Sequence, residues 1–589
     1  MRRPAVAVVS IGAALALAIS ACGGGNTSSN NGGGAATAAF NAAVGKIFDP
    51  SDKKGGTLRF ANSGDWDSLD PADTYYGYSW DFIRYYGRSL VMFAPKPGSA
   101  GNELVPDLAT SLGVPSDGAK TWTYHIRPGI KFEDGTPVTS KDVKYAVERS
   151  LDKQTFTQGP TYLNDFLDLQ GYTSPYNDPT PDKLGLKAVD TPDDLTIVFH
   201  LIKPFSGFDY FAMLPATIPV PRAKDSGTNY KQHVVSTGPY MFQTNNPGKN
   251  FTLVRNPNWD PATDPNRKAL PDKIEVQLNV NADDIDNRML ANPPDLDVAV
   301  EQTGLQAAGQ AKVLADPTLK KNADVASLAR LWFAVINSDV KPLDNIHCRK
   351  AVLLAADHEG YQRAYGGPIA GGDIATSLMP PQIPGARKID LYNFDANKNG
   401  DDAAAKSELQ QCGQPNGFAT SISYRAERPK EKATAESLQQ SLAKVGIQLT
   451  IKPYPLADYG KLYAGKPDFA KNNQLGIIIY GWGADWPDGF GFLQQIVDSR
   501  VIRPQGGNTN LGIKIPAVDQ LLDQALQTTD KTAREKLWGD IDQQVMENAM
   551  ALPGIWAKVL LYRPSSMTNV YVNEGLGGYY DFVSLGVKQ

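Results

Sequence analysis

The sequence predicts an α/β protein of more than one domain, and three observations carry that reading. The chain runs to 589 residues, enough for several hydrophobic cores. Stretches of strand period and stretches of helix period alternate along it. Its composition, 41% apolar and 21% charged, is that of a globular protein, with no apolar run long enough to span a bilayer. The formal net charge is -5, and Arg2 and Arg3 are the only charges in the first 21 residues, leaving -7 for the rest. That mildly acidic balance argues against nucleic acid or anionic lipid as a partner.

The N-terminus reads MRRPAVAVVSIGAALALAISAC. Arg2 and Arg3 form a basic head, and Val6 to Ile19 an apolar stretch too short for a membrane span. Ile19, Ser20, Ala21 and Cys22 then resemble a bacterial lipobox, which implies a lipoprotein signal peptide over 1–21 and a lipidated Cys22 as the first mature residue. Ordinary secretion, with Cys22 a bystander, is the plainer alternative. Two acyl chains on Cys22 would anchor the body stably to the outer face of the cytoplasmic membrane. Residues 22–54 are expected to form the tether. Gly23 to about Ala43 is rich in Gly, Ser, Asn and Ala, and cannot bury a core. As a flexible coil of this length it reaches roughly 25 Å.

Beyond the tether, Gly55 to Ala61 reads as a strand entering a turn-rich segment from Asn62 to Pro71. In TWTYHIRPGIKFEDGTPVTSKDVKYAVERSL (121–151), Trp122, Tyr124, Ile126, Ile130 and Phe132 alternate with polar residues as in a half-buried hairpin. The pairs Pro128, Gly129 and Asp134, Gly135 supply its turns. Thr139 or Ser140 offers an N-cap, and Val143, Ala146, Val147, Ser150 and Leu151 share one helix face. A second strand pair is expected around Leu195 to Leu201, and a strand over Leu331 to Asn337. Gln474 to Tyr480 is a further β-rich apolar run, and Leu511 to Pro553 carries two amphipathic helices.

The 121–151 segment also resembles a run found in the extracellular solute-binding protein family 5, the peptide and nickel receptors of ABC importers. Other stretches match that family in the same order. Gly55, Gly56, Thr57, Leu58 lead to Leu69, Asp70, Pro71; Ser236, Thr237, Gly238, Pro239, Tyr240 are followed by FTLVRNPNW (251–259); HCRKAVLLAAD (347–357) resembles a helix that opens the second lobe. The resemblance covers roughly residues 55 to 589. It implies a bilobal periplasmic-binding-protein type 2 fold with an additional inserted domain and a hinge. Lobe 1 would comprise 55–75, 222–326 and 557–589, the inserted domain 76–221, and lobe 2 residues 327–556. It further implies a lipid-anchored receptor, expected to be monomeric, that hands peptides to ABC permease and ATPase subunits, with no cofactor; a receptor of the same fold for a nickel chelate, a peptide-like metabolite or a signalling peptide is the alternative.

The same resemblance supplies the candidate site. Tyr480, Gly481, Trp482, Gly483, Ala484, Asp485, Trp486, Pro487 and Asp488 are similar to the family's ligand-binding element, in which the first Asp pairs with a peptide's α-ammonium. Asp485 would hold the amine. The backbone from Tyr480 to Gly483 would pair with one edge of the peptide and Asn62, Ser63 and Gly64 with the other. On the residues alone, a carboxylate between two tryptophans needs a cationic partner, and the small residues at 481, 483 and 484 let another backbone approach. Trp66, Trp482 and Trp486 read equally as pocket lining or as core, while Tyr75, Tyr76, Tyr78, Tyr85 and Tyr86 read more readily as core or surface. Where some oligopeptide receptors carry an arginine for the peptide carboxylate, this chain has Ile479; Arg425 is a possible substitute.

Competing chemistries find little support. Asp395 to Gly400 opens like an EF-hand loop, but its twelfth position is Lys406 in place of the bidentate Glu. The five histidines, His125, His200, His233, His347 and His358, lack metal-ligand spacing. No H-E-x-x-H, G-x-S-x-G or P-loop is present, so no enzyme is expected. Cys348 and Cys412, an even pair behind an export signal, are the expected disulfide; two separately buried thiols are the alternative.

Overall fold

The computed structural model describes residues 39–301, 303–528 and 530–589. The signal peptide 1–21, Cys22 and the tether as far as residue 38 lie outside the described residues.

One sheet of five strands runs in the order Val298–Ala299, Thr57–Ala61, Lys273–Gln277, Asn250–Arg255, Tyr240–Asn246. Its first strand is parallel to two neighbours, with Phe60 opposite Val276 and Val298. Apolar residues alternate inward along it: Leu58 and Phe60 are fully buried while Arg59 faces out.

A second sheet of six strands runs Gly372–Ile374, Ala551–Tyr562, Ala323–Ile336, Leu475–Gly483, Ala419–Arg425, Gln448–Tyr454. Leu331 to Ile336, within the expected strand, is buried throughout, as befits a central strand of the sheet. The two longest strands, Ala323–Ile336 and Ala551–Tyr562, pair antiparallel, and their register breaks between Ser327 and Leu331. Below that break, Ala323, Leu560 and Tyr562 pack with Ala61, Ile285 and Leu296 of the first sheet's layer. Above it, Leu331 and Phe333 belong to the main core. These two strands therefore carry the chain between the two sheets.

The stretch between Tyr76 and Pro221 builds a four-stranded antiparallel sheet, Val114–Ser116, Thr121–His125, Thr196–His200, Val189–Asp193. The expected hairpin within 121–132 does not form. Trp122 pairs with Phe199 and Pro115 instead, while Ile130 and Phe132 lie buried in a tight loop outside any strand. Local alternation marked which residues turn inward but not which strand would pair with them. The following helix, Ser140–Leu151, is capped as expected: Thr139 and Asp142 form a capping box.

One further expectation is corrected. The tether ends earlier than residue 54, since Ala39 to Lys54 is already docked on the body. Asn41 N donates to Ala323 O at 2.9 Å, Ala43 N to Asp324 Oδ1 at 3.0 Å and Phe48 N to Val570 O at 2.7 Å. The small side chains of Ala42 and Ala43 fit against the body, and the Arg563 guanidinium, ion-paired to Asp324, lies 4.3 Å from the Phe48 ring centre. Asp283 and Asp284 stand in the first turn of a helix, Ala282–Met289, where carboxylates favour the positive end of the helix dipole. Cys348 and Cys412 form a disulfide, with Cα atoms 5.3 Å apart, tying helix Ile346–Ala355 to the end of helix Asp402–Gln411.

Candidate functional site

A cavity of about 1250 Å³, counting the solvent it opens onto, lies where the inserted stretch, the first sheet's layer and the six-stranded sheet meet. One wall is the end of strand Leu475–Gly483. Tyr480, Gly481, Trp482, Gly483, Ala484 and Asp485 all line it, as expected from the sequence. Residues 481–483 pair on one side with Arg330, Leu331 and Trp332. On the other side, pairing with Ala419–Arg425 stops at Ile478. Among the described residues, the backbone edge from Tyr480 to Gly483 therefore has no strand on its second side. Gly481 is required here, because a methyl group on it would stand 2.0 Å from the Trp332 ring.

Asp485 follows the strand. Its backbone N–H donates to Gly491 O at 2.9 Å, and Asp488, three residues later, caps helix Gly489–Val497 by accepting from Phe490 N at 2.8 Å. The carboxylate Oδ2 accepts from Tyr75 Oη at 2.8 Å and from Tyr162 Oη at 2.7 Å. Among the described residues it has no cationic partner. Burial pushes its pKa up to about 7, against the pull of the two tyrosine hydroxyls. Burial and the neighbouring Asp485 charge raise the pKa of both tyrosines, so they remain donors.

Tyr75 is positioned by a local network that the sequence concealed. Asp67 accepts from Thr74 Oγ1 at 2.7 Å, Tyr75 N at 2.9 Å and Ser79 Oγ at 2.8 Å, folding the turn-rich segment onto helix Gly77–Ile83. Tyr75, Tyr76 and Tyr78 line the cavity, whereas Tyr85 and Tyr86 are core.

The opposite charges in the wall are mostly neutralised. Arg428 Nη2 meets Glu301 Oε2 at 2.7 Å across the gap between the two sheets' layers. Arg425 is held by Glu431, its Nε 2.9 Å from Oε1, beneath the Tyr480 ring. It is thus already committed and does not stand free as a substitute carboxylate anchor.

The remaining sequence-predicted residues are placed elsewhere. Asn62 is fully buried; its backbone N donates to Gln277 O and its O accepts from Val280 N, so neither is left for a ligand. Ser63 donates to Glu301 and lines a smaller adjoining cavity of about 520 Å³, which shares Glu301, Thr303, Trp332 and Arg428 with the first. The Gly64 carbonyl accepts from Asn279 N, and Gly64 packs beneath Leu456. Trp66 sits in an aromatic cluster with Tyr78, Phe82 and Phe251, away from the cavity lining. Trp486 is buried behind Asp485, stacked on Tyr210 at 5.3 Å and against Tyr162 at 4.8 Å. Trp482 alone of the three lines the cavity, with its Nε1 donating to Phe492 O at 2.7 Å.

None of the five histidines lines the cavity. Among the described residues no group of three His, Cys, Asp or Glu side chains is arranged to hold a metal ion. Tyr162, Arg330 and Glu301 were missed by the sequence reading. Arg330 carried a signal, a lone cation within the apolar run ARLWFAVI; Tyr162 and Glu301 carried none.

Comparison with known proteins places this geometry in context. Residues 103–502 match the bacterial extracellular solute-binding proteins, family 5 Middle. The solved structure of clavulanic acid biosynthesis oligopeptide binding protein 2 is 42% identical, with a TM-score of 0.83 over 94% of this chain and 99% of that one. The probable D,D-dipeptide-binding periplasmic protein DdpA of Escherichia coli K12 is 26% identical over 84% of this chain and 87% of its own. Haemophilus influenzae OppA, solved in complex with the peptide RPPGFSPFR, shares the fold at a TM-score of 0.74 and 18% identity, over 92% of this chain and 100% of that one. The two sheets, the inserted stretch and the strands linking them thus form the α/β bilobal type 2 periplasmic-binding-protein fold, and the relatives are binding proteins rather than enzymes. The chain belongs to the bacterial extracellular solute-binding proteins, family 5.

Proposed function

We propose that this protein is a lipid-anchored extracytoplasmic receptor that captures peptides by their free amino end between two lobes and delivers them to an ABC permease. The observation that carries this reading is Asp485: a carboxylate in the cavity wall, oriented by two tyrosine hydroxyls and left without a cation among the described residues. A ligand ammonium supplies that cation, in a charge-assisted hydrogen bond worth about 1.5–3 kcal/mol. The open backbone edge from Tyr480 to Gly483 offers side-chain-blind pairing to an extended peptide. Relatives named for oligopeptides and dipeptides agree with this ligand class.

Capture proceeds by closure of the lobes about the paired strands Ala323–Ile336 and Ala551–Tyr562, whose register breaks where the layers part. The Arg428–Glu301 pair joins the two layers at 2.7 Å. Attachment through Cys22, an ABC ATPase behind the permease and a monomeric receptor complete the reading.

The test is mass spectrometry of small molecules released by denaturing the purified protein. Short peptides with free amino termini are the expected result; a single non-peptide species would keep the fold and overturn the ligand class.

A further inference from the structure

The docked strap Ala39 to Lys54 turns its small residues inward and its large apolar ones outward. Ala42 and Ala43 are buried against the body, as is Phe48. Phe40, Val44 and Ile47 are 37%, 40% and 43% exposed. Among the described residues eleven large apolar side chains are this exposed, and three of them fall within these eight positions of the strap. Single exposed apolar residues need no explanation, whereas a cluster of them marks a contact surface.

Basic residues border this face. Lys46 is exposed between Val44 and Ile47. The Lys320 ammonium stands 5.2 Å from the centre of the Phe40 ring. Arg563 Nη2 donates to both Ala39 O and Lys321 O at 2.9 Å, which sets Lys321 beside the start of the strap. None of these three lysines has an ion pair among the described residues. The strap's own carboxylates are paired, Asp49 with Lys588 at 3.1 Å and Asp52 with Lys268 at 2.7 Å. The chain as a whole is acidic, but surface charges are screened beyond about 8 Å at physiological salt, so the local sign governs a contact. Apolar side chains among lysines suit the interface of an anionic bilayer, where phosphates meet acyl chains.

Chain length points to the same occupant. Ala39 follows Cys22 by 17 positions, and a coil of that length reaches roughly 23 Å. We propose that the outward face of the strap, Phe40, Val44 and Ile47 with Lys46, Lys320 and Lys321, lies on the phospholipid bilayer to which the protein is anchored. This rests on the reading of Cys22 as lipidated. Three side chains make a weak contact by themselves, but a short linker holds them at about millimolar effective concentration. The strap bonds to Ala323, Asp324 and Val570, and Ala323 and Asp324 precede the register break in the linking strands. The bilayer therefore holds the first sheet's layer and leaves the layer beyond the break free to close over a ligand.

The test places an environment-sensitive fluorophore on Ile47→Cys in the full lipidated protein, reconstituted in vesicles of equal parts phosphatidylethanolamine and phosphatidylglycerol. Val114→Cys, at a residue 56% exposed on the inserted sheet, is the reference position. Vesicles should raise the emission at 47 at least threefold, with a blue shift, and leave 114 unchanged. Adding Phe40→Glu and Val44→Glu should abolish the rise at 47, with thermal melting to check that the variant folds. Flotation with the vesicles is read first: protein that does not float overturns the reading of Cys22 and this proposal together. Floating protein whose emission at 47 matches that at 114, or is unmoved by the two glutamates, overturns the membrane face and leaves Cys22 in place. A blue shift at 47 without vesicles, growing with protein concentration, assigns the face to a second copy of the chain and likewise overturns it.

Discussion

The Tyr162 hydroxyl donates to Asp485 Oδ2 over 2.7 Å, joining residues 323 positions apart in the chain. It brings a donor from the inserted stretch to a carboxylate at the end of a strand in the other layer, next to the hydroxyl of Tyr75. These two bonds favour the ionised carboxylate against the cost of burial. Tyr162→Phe is therefore expected to raise the Asp485 pKa further and weaken peptide binding at pH 7 by about tenfold. Calorimetric titration reads the effect, and an unaltered affinity would take Tyr162 out of the site.

Asp485→Ala should weaken binding at least tenfold at any pH above 7. In the native protein the dependence on pH has a definite sign. Burial holds the Asp485 pKa up at about 7, and a bound ammonium lowers that value, so binding releases a proton below pH 7. Affinity should rise with pH up to about 7 and level off above it. Folding stability without ligand should run the other way at this residue: a pKa raised above its unfolded value favours folding at low pH, and that contribution is lost as pH rises through 7. Binding constants that stay flat between pH 5.5 and 8 would show that Asp485 does not carry the ammonium.

Gly481→Ala puts a methyl 2.0 Å from the Trp332 ring, so the ring or the strand must shift. Overpacking of this kind costs about 1–3 kcal/mol. The variant should melt at a lower temperature and bind weakly, since Trp332 also supports Arg330 and Arg428. Gly483→Ala, facing only the movable end of Arg330, should be milder in melting temperature. The reverse order in a thermal melt would contradict this account of the strand.

The Cys348–Cys412 disulfide closes a loop of 64 residues. By chain entropy its loss should cost about 4 kcal/mol. Cys348→Ser should lower the urea midpoint of the six-stranded layer, and dithiothreitol should do the same to the native protein. Midpoints that match with and without reductant would argue against the bond.

The strand edge Tyr480–Gly483 and the carboxylate beyond it were legible as a unit, because strand period, small residues and a flanked Asp lie within one short segment. The helix Ser140–Leu151 was legible for the same reason, its cap and apolar face being neighbours in sequence. The hairpin expected at 121–132 failed because strand 121–125 pairs with 196–200, a partner that local alternation does not name. Asn62 and Trp66 were drawn toward the site by resemblance, yet their atoms are taken up by the first layer's own hydrogen bonds and ring packing.

The sequence by itself therefore determined the α/β class, the family and the segment Tyr480 to Asp485 that lines the cavity, since each depends on residues close together along the chain. Only the tertiary structure decided which charges are spent. Arg425 and Arg428 look as available as Arg330 in the sequence, but Glu431 and Glu301 neutralise them, one a turn away and one from the other layer. Whether a buried charge is free depends on its distance to every other charge, and folding alone sets those distances.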